Sequence, residues 1–147
     1  MYEFIFRIQV DAIISKRTRN SNLYSERSYY NAATIETLQK ENTYERLFLL
    51  GNKLMEGIQE AAKATNQDLL VQGPGPMFNT SFTTKKSLED YRDTLSCDKD
   101  KLKKFISGMQ EENIRIIGRG VWYISTAHTE KDIDYAIQKA HKVLGEM

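Results

Sequence analysis

Asn113 to Ile133 reads NIRIIGRGVWYISTAHTEKDI, and this stretch decides the fold. Ile114, Ile116 and Ile117 form an apolar run that Gly118-Arg119-Gly120 interrupts. Val121-Trp122-Tyr123-Ile124 then resumes it with β-branched and aromatic residues that suit a half-buried pleated surface. The pattern predicts a hairpin-like unit of strand, tight turn and strand, with an arginine at its tip. The flanking glycines permit φ > 0 and leave the guanidinium uncrowded. An arginine presented this way can take a carboxylate or phosphate through two parallel hydrogen bonds, a geometry that a lysine lacks. The spacing alone also admits a solvated turn arginine.

Downstream, Thr129 with Asp132 three residues on reads as a capping-box variant, and Glu130 and Asp132 complement the positive end of a helix dipole. Ile133, Ala136, Ile137, Ala140 and Leu144 recur as the buried stripe of that last helix. His128, directly before the cap, reads as a residue that holds the turn rather than one that transfers protons.

Upstream, Asp98 caps a predicted helix with Leu102, Phe105, Ile106 and Met109 on one stripe. Lys101, Lys103 and Lys104 lie elsewhere on its surface, and Asp98, Asp100, Glu111 and Glu112 neutralise them, which favours a solvated face over a nucleic-acid contact. Residues 84–97 are polar, with Leu88 and Tyr91 as expected anchors. Met77 to Thr83 alternates Phe78, Thr80 and Phe82 against Met77, Asn79 and Ser81, as a strand with one apolar face does. Gly73-Pro74-Gly75-Pro76 makes a stiff reversal between it and the short strand Leu69–Gln72. The spacing and lysine of a phosphate-binding loop are absent there.

A helical pattern starts with Asn31 as its cap and Ala32, Ile35 and Leu38 on one face, then pauses near Glu41-Asn42. Thr43 is the expected cap of a second helix whose stripe is Leu47, Leu50, Leu54, Ile58, Ala61 and Ala62. Gly51 and Gly57 lower its helix propensity by about 1 kcal/mol each relative to alanine, so close packing is expected at both. Residues 2–10, YEFIFRIQV, read as a strand. Residues 15–31 read as a polar arm whose Lys16-Arg17-Thr18-Arg19 cluster is a solvated segment before it is a phosphate patch. The coarse expectation is an α+β fold: a small antiparallel sheet covered by about four helices.

The run RGVWYISTAHTEKDID resembles the C-terminal signature of class III aminotransferases of the glutamate-1-semialdehyde aminomutase-like group, in Ser125, His128, Thr129, Asp132 and Ile133. AATIETLQKENTYERL (residues 32–47), LGNKLMEGIQEAA (50–62) and GPGPMFNTSFT (73–83) are similar to earlier pieces of the same region, in the same order. The resemblance divides the chain into residues 1–30, an unassigned strand and arm, and residues 31–147, an aminotransferase-like C-terminal small domain.

It implies fold type I, pyridoxal phosphate as the cofactor of the full-length family, an amino-acid substrate, and Arg119 as the substrate-binding residue that grips its carboxylate. In that family the Schiff-base lysine and the acid facing the pyridine nitrogen lie upstream of everything that matches here. The family's Gly-Thr segment near the phosphate is also missing, with SNLYSERSYY standing before Asn31. The resemblance therefore implies a chain that is inactive alone, binds no cofactor by itself and works with a separately encoded cofactor domain, or else is a relic or truncated frame. The aminomutase pattern carries a Gln-Phe-Glu-Ala run where this chain has Gly-Arg-Gly-Val, which tilts the expectation towards a general amino-acid aminotransferase.

Composition sets the outer bounds. The 147 residues fit one domain. Lysine plus arginine (21) nearly cancels aspartate plus glutamate (20), so no global field recruits nucleic acid or an anionic membrane. No apolar stretch approaches the about 20 residues needed to cross a bilayer. The single cysteine, Cys97, excludes an internal disulfide and fits a reducing cytoplasm. A different class stays open beside the aminotransferase reading: an α+β binding or oligomerisation module whose exposed sheet presents Trp122, Tyr123 and Phe82 to a ligand or to a second copy.

Overall fold

Leucines at helical spacing build the longest element, α1 (Thr43–Ala64), whose buried face is Leu47, Leu50, Gly51, Leu54, Ile58, Ala61 and Ala62. The computed structural model describes residues 32–147. The strand expected over 2–10, the polar arm, the Lys16–Arg19 cluster and the cap at Asn31 lie outside the described residues. Residues 32–38 are helical, with Leu38 packed on the core and Ile35 exposed. The cap of α1 is Asn42, not Thr43. Asn42 takes a left-handed φ of 61°, and its carbonyl accepts from Arg46 N–H at 3.1 Å. The Thr43 hydroxyl reaches back to the Thr37 carbonyl instead. Asparagine tolerates that backbone region better than threonine, whose branched Cβ resists it.

After α1 come β1 (Leu69–Gln72) and β2 (Met77–Phe82), joined through Gly73–Pro76 and paired antiparallel with Gln72 opposite Asn79. The short helix α2 (Tyr91–Thr94) carries a capping box of Asp90 and Asp93. Then follow α3 (Lys99–Glu111), β3 (Val121–Tyr123) and α4 (Glu130–Gly145). The sheet order is β1-β2-β3, antiparallel throughout. The fold is α+β, as the patterning implies.

Strand alternation sorts the sheet into two faces. Leu69, Phe78, Thr80, Phe82 and Trp122 turn inward and are buried. The Phe78 and Trp122 rings stack at 5.6 Å, and Phe105 of α3 meets Phe82 edge-on at 6.0 Å. Met77 and Tyr123, cross-strand partners on the opposite face, are exposed. The outer edge of β1 is covered by Gln59 of α1. Its amide donates to Leu69 O at 2.9 Å and accepts from Val71 N–H at 3.3 Å, as a neighbouring strand would.

The helices meet the sheet and one another over small residues. A Cβ on Gly57 would collide with the Ile137 side chain, and one on Gly51 with the backbone of Gly75, so both glycines mark close packing. Lys53 of α1 pairs with Asp134 of α4 at 2.6 Å. Tyr91 is 76 % exposed and anchors nothing. That segment is held instead by the Leu88 backbone, whose N–H and carbonyl both bond the Gln72 side-chain amide.

Candidate functional site

The arginine turn is the part of the hairpin that forms. Ile117 and Val121 make an isolated antiparallel bridge, and Gly120 N–H donates to Ile117 O at 2.8 Å. The loop between them is Gly118-Arg119-Gly120, of which Gly120 alone has a left-handed φ, 78°. This is the pattern of a three-residue hairpin loop closed by a glycine. The expected first arm fails as a strand. Ile114 and Ile116 are buried and Ile117 is exposed, and the Ile114 N–H is taken up at the end of α3 by Met109 O at 2.8 Å.

Gly120 is required twice, by its φ and because a Cβ there would stand 2.3 Å from Thr80 O. Gly118 meets neither condition. The Arg119 side chain is exposed, and among the described residues its guanidinium has no hydrogen-bond or ion-pair partner. Its carbonyl accepts from Asn79 Nδ2 at 3.2 Å. Gly120 O accepts from both the N–H (2.9 Å) and the hydroxyl (3.2 Å) of Thr80, which in turn accepts from Trp122 Nε1 at 3.2 Å. Neither Asn79 nor Thr80 is singled out by the sequence. A threonine at an inward position of an otherwise aromatic strand face was the available signal.

The second turn, Ser125–His128, leads into α4. Ser125 N–H donates to His128 Nδ1 at 2.9 Å, and the Ser125 hydroxyl lies 3.1 Å from the same nitrogen. Nδ1 is therefore an acceptor, and the neutral ring carries its proton on Nε2. His128 is 8 % exposed, and burial pushes its pKa below the ordinary value, against the opposing pull of Asp132. Arg46 of α1 clamps the turn from outside, donating to Thr126 O at 3.1 Å and His128 O at 2.7 Å. Thr129 and Asp132 form the expected reciprocal capping box. His128 thus holds a turn.

An open groove of about 820 Å³ runs between the starts of α1 and α4, lined by Asn42, Glu45, Arg46, Leu49, Thr129 and Glu130 among others. Arg119 does not line it, and Arg46 is already committed to carbonyls. The groove is open to solvent and lacks a convergent polar set.

A pyridoxal phosphate site needs a lysine to carry the ring, an acid for the pyridine nitrogen and donors for the phosphate. Among the described residues the buried polar side chains are Thr80 and His128, and no lysine is buried. This set does not fit the cofactor. Trp122 and Phe82, expected on an exposed binding sheet in the alternative reading, are 1 % and 2 % exposed, and only Tyr123 of the three faces solvent. Aromatic stacking by that trio is excluded because two of its rings, Trp122 and Phe82, lie in the core.

No protein-family profile matches the sequence. Residues of this chain are 30 % identical over 117 positions to glutamate-1-semialdehyde 2,1-aminomutase of Desulfatibacillum aliphaticivorans, covering 78 % of this chain and 27 % of that protein. The namesake enzyme of Desulfitobacterium hafniense (strain Y51) is 33 % identical over 114 residues, covering 76 % of this chain and 26 % of its own length. In three dimensions the chain is similar to a β-phenylalanine aminotransferase from Variovorax paradoxus, with a TM-score of 0.71 at 21 % identity over 95 % of this chain and 34 % of that one. The chain spans about a quarter of the length of the curated relatives it matches. These matches place the chain in the class III, glutamate-1-semialdehyde aminomutase-like aminotransferase family, of whose curated members it spans about a quarter.

Proposed function

We propose that this chain supplies the small domain of a pyridoxal-phosphate-dependent aminotransferase or aminomutase-like protein, with residues 31–147 as the domain and Arg119 as the grip for the carboxylate of an amino-acid substrate. The observation that carries this reading is the exposed Arg119 guanidinium on a turn whose backbone is bonded on both sides. A planar fork on a fixed backbone takes a carboxylate bidentately, and this chain's own contribution is to bind and orient the substrate and to help exclude water when the site closes. The cofactor's lysine, acid and phosphate donors come from another segment or another chain. The exposed Met77–Tyr123 pair on the open sheet face supports a surface covered in the assembled protein. A single cysteine and near-neutral charge fit a cytoplasmic setting without nucleic-acid or membrane partners.

The reading is tested in a chimera that replaces the matching quarter of the Desulfitobacterium aminomutase with residues 31–147. Removing a charged hydrogen-bonding partner costs about 1.5–3 kcal/mol, so Arg119→Ala lowers kcat/KM for the amino-acid substrate by about ten- to a hundred-fold. The cofactor spectrum without substrate stays unchanged, and Arg119→Lys recovers only part of the loss. An unchanged kcat/KM in Arg119→Ala removes the grip.

A further inference from the structure

We infer that Asn79 and Thr80 of β2 are positioning residues that set the direction of the Arg119 side chain by fixing the two peptide units that follow it. The inference rests on the carboxylate reading of Arg119.

The geometry is specific to this turn. The peptide unit between Arg119 and Gly120 is held at both ends: its carbonyl by Asn79 Nδ2 at 3.2 Å, its N–H by Ile117 O at 2.8 Å. The following unit is held at Gly120 O by the Thr80 N–H and hydroxyl. Together these fix φ of Gly120, and because Ile117 N–H is also tied to Val121 O at 3.2 Å, closure of the three-residue loop fixes ψ of Arg119 and the line along which the arginine leaves the backbone. The Asn79 amide is itself oriented, because Ser81 Oγ donates to its Oδ1 at 3.2 Å and leaves Nδ2 to face the turn. Asn79 stands opposite Val121, at the point where the loop re-enters the sheet.

The two ties differ in what the fold requires. Thr80 is fully buried, and its hydroxyl also satisfies the indole N–H of Trp122, so it serves the core as well as the turn. The Asn79–Arg119 bond is exposed, where water could serve the carbonyl equally well. A side-chain donor there adds little to satisfaction and a good deal to orientation. Preorganising a recognition arginine raises affinity by reducing what must be ordered on binding.

The test uses the full chain, ¹⁵N-labelled, titrated with L-glutamate as the carboxylate probe. It reads the Arg119 Nε–Hε shift for binding and the Gly120 amide order parameter for the turn. In the unmodified chain Gly120 shows the order parameter of rigid backbone, about 0.85, and Asn79→Ala drops it towards about 0.6. The apparent Kd for glutamate then rises about five-fold, while the thermal midpoint is unchanged. Thr80→Ser, which keeps the hydroxyl, retains the original order and affinity. Asn79→Ala with order and affinity both intact overturns the inference. If glutamate moves no Arg119 signal in the unmodified chain, the carboxylate reading fails. The order parameter then decides the rest: a drop in Asn79→Ala upholds the fixed turn, and no drop overturns it.

Discussion

Gly51 of α1 and Gly75 of the β1–β2 turn meet backbone to Cα: a Cβ added to Gly51 would lie 2.3 Å from Gly75 O and 2.4 Å from its carbonyl carbon. A helix glycine here is a packing requirement, and the proline-flanked turn cannot retreat, because Pro74 and Pro76 fix φ on either side of Gly75. Gly51→Ala therefore destabilises the fold by about 1–3 kcal/mol through overpacking, despite a gain of about 1 kcal/mol in helix propensity. Urea unfolding followed by circular dichroism measures it; a midpoint equal to or above that of the parent contradicts the contact.

The two glycines beside Arg119 behave oppositely. Gly120→Ala forces a left-handed φ on an L-residue and drives Cβ into Thr80 O, costing about 2 kcal/mol or more. Gly118→Ala meets nothing within 4 Å and stays within about 0.5 kcal/mol of the parent. Equal midpoints for the two variants would mean that the turn is not built as described.

His128 links stability to pH. Its folded pKa lies below the unfolded value, so the unfolded chain binds the proton first as pH falls. The neutral ring's contribution is complete above the unfolded pKa of about 6.5 and is lost as pH drops from there through the folded pKa. The urea midpoint therefore falls between pH 8 and pH 5, and His128→Asn, which keeps an acceptor for Ser125 N–H, flattens that slope. A parent midpoint that rises on acidification contradicts the buried neutral ring.

Glu112, at the end of α3, is held by Lys139 and Lys142 of α4 at 2.5 and 2.6 Å, and these bonds bring its carboxyl pKa down to about 2. A depressed carboxylate stabilises above its unfolded pKa and loses that contribution as pH falls from about 4.5 towards 2. Carbon-detected NMR of the Glu112 side chain reads the titration directly, and Lys139→Ala shifts it upward. A midpoint near the ordinary carboxylate value in the parent rules out the double pairing.

Much of the fold was legible in sequence wherever a local pattern and its tertiary use coincide. The α1 stripe, the Gly73–Pro76 reversal, the Asp98 cap and the Thr129–Asp132 box each follow from neighbours a few residues apart, and Gly51 and Gly57 announce close packing without naming Gly75 and Ile137 as the partners. What escaped was decided across the chain. Ile114–Ile117 have strand composition, but the Ile114 N–H closes the end of α3 on Met109 O, and the segment joins β3 through the Ile117–Val121 bridge. Trp122 and Phe82 suit either face of a strand, and only the side on which α3 settles buries them. Arg119 was visible from its flanking glycines. Asn79, 40 residues away, was not, because a side chain-to-carbonyl bond leaves no periodic trace.

Whether Arg119 meets a substrate carboxylate is read directly in a crystal structure of the aminomutase chimera with bound amino acid. The expected contact is two parallel N–H···O bonds of about 2.7–2.9 Å between the Arg119 guanidinium and the carboxylate. A carboxylate held by other groups, with Arg119 directed into solvent, would contradict it.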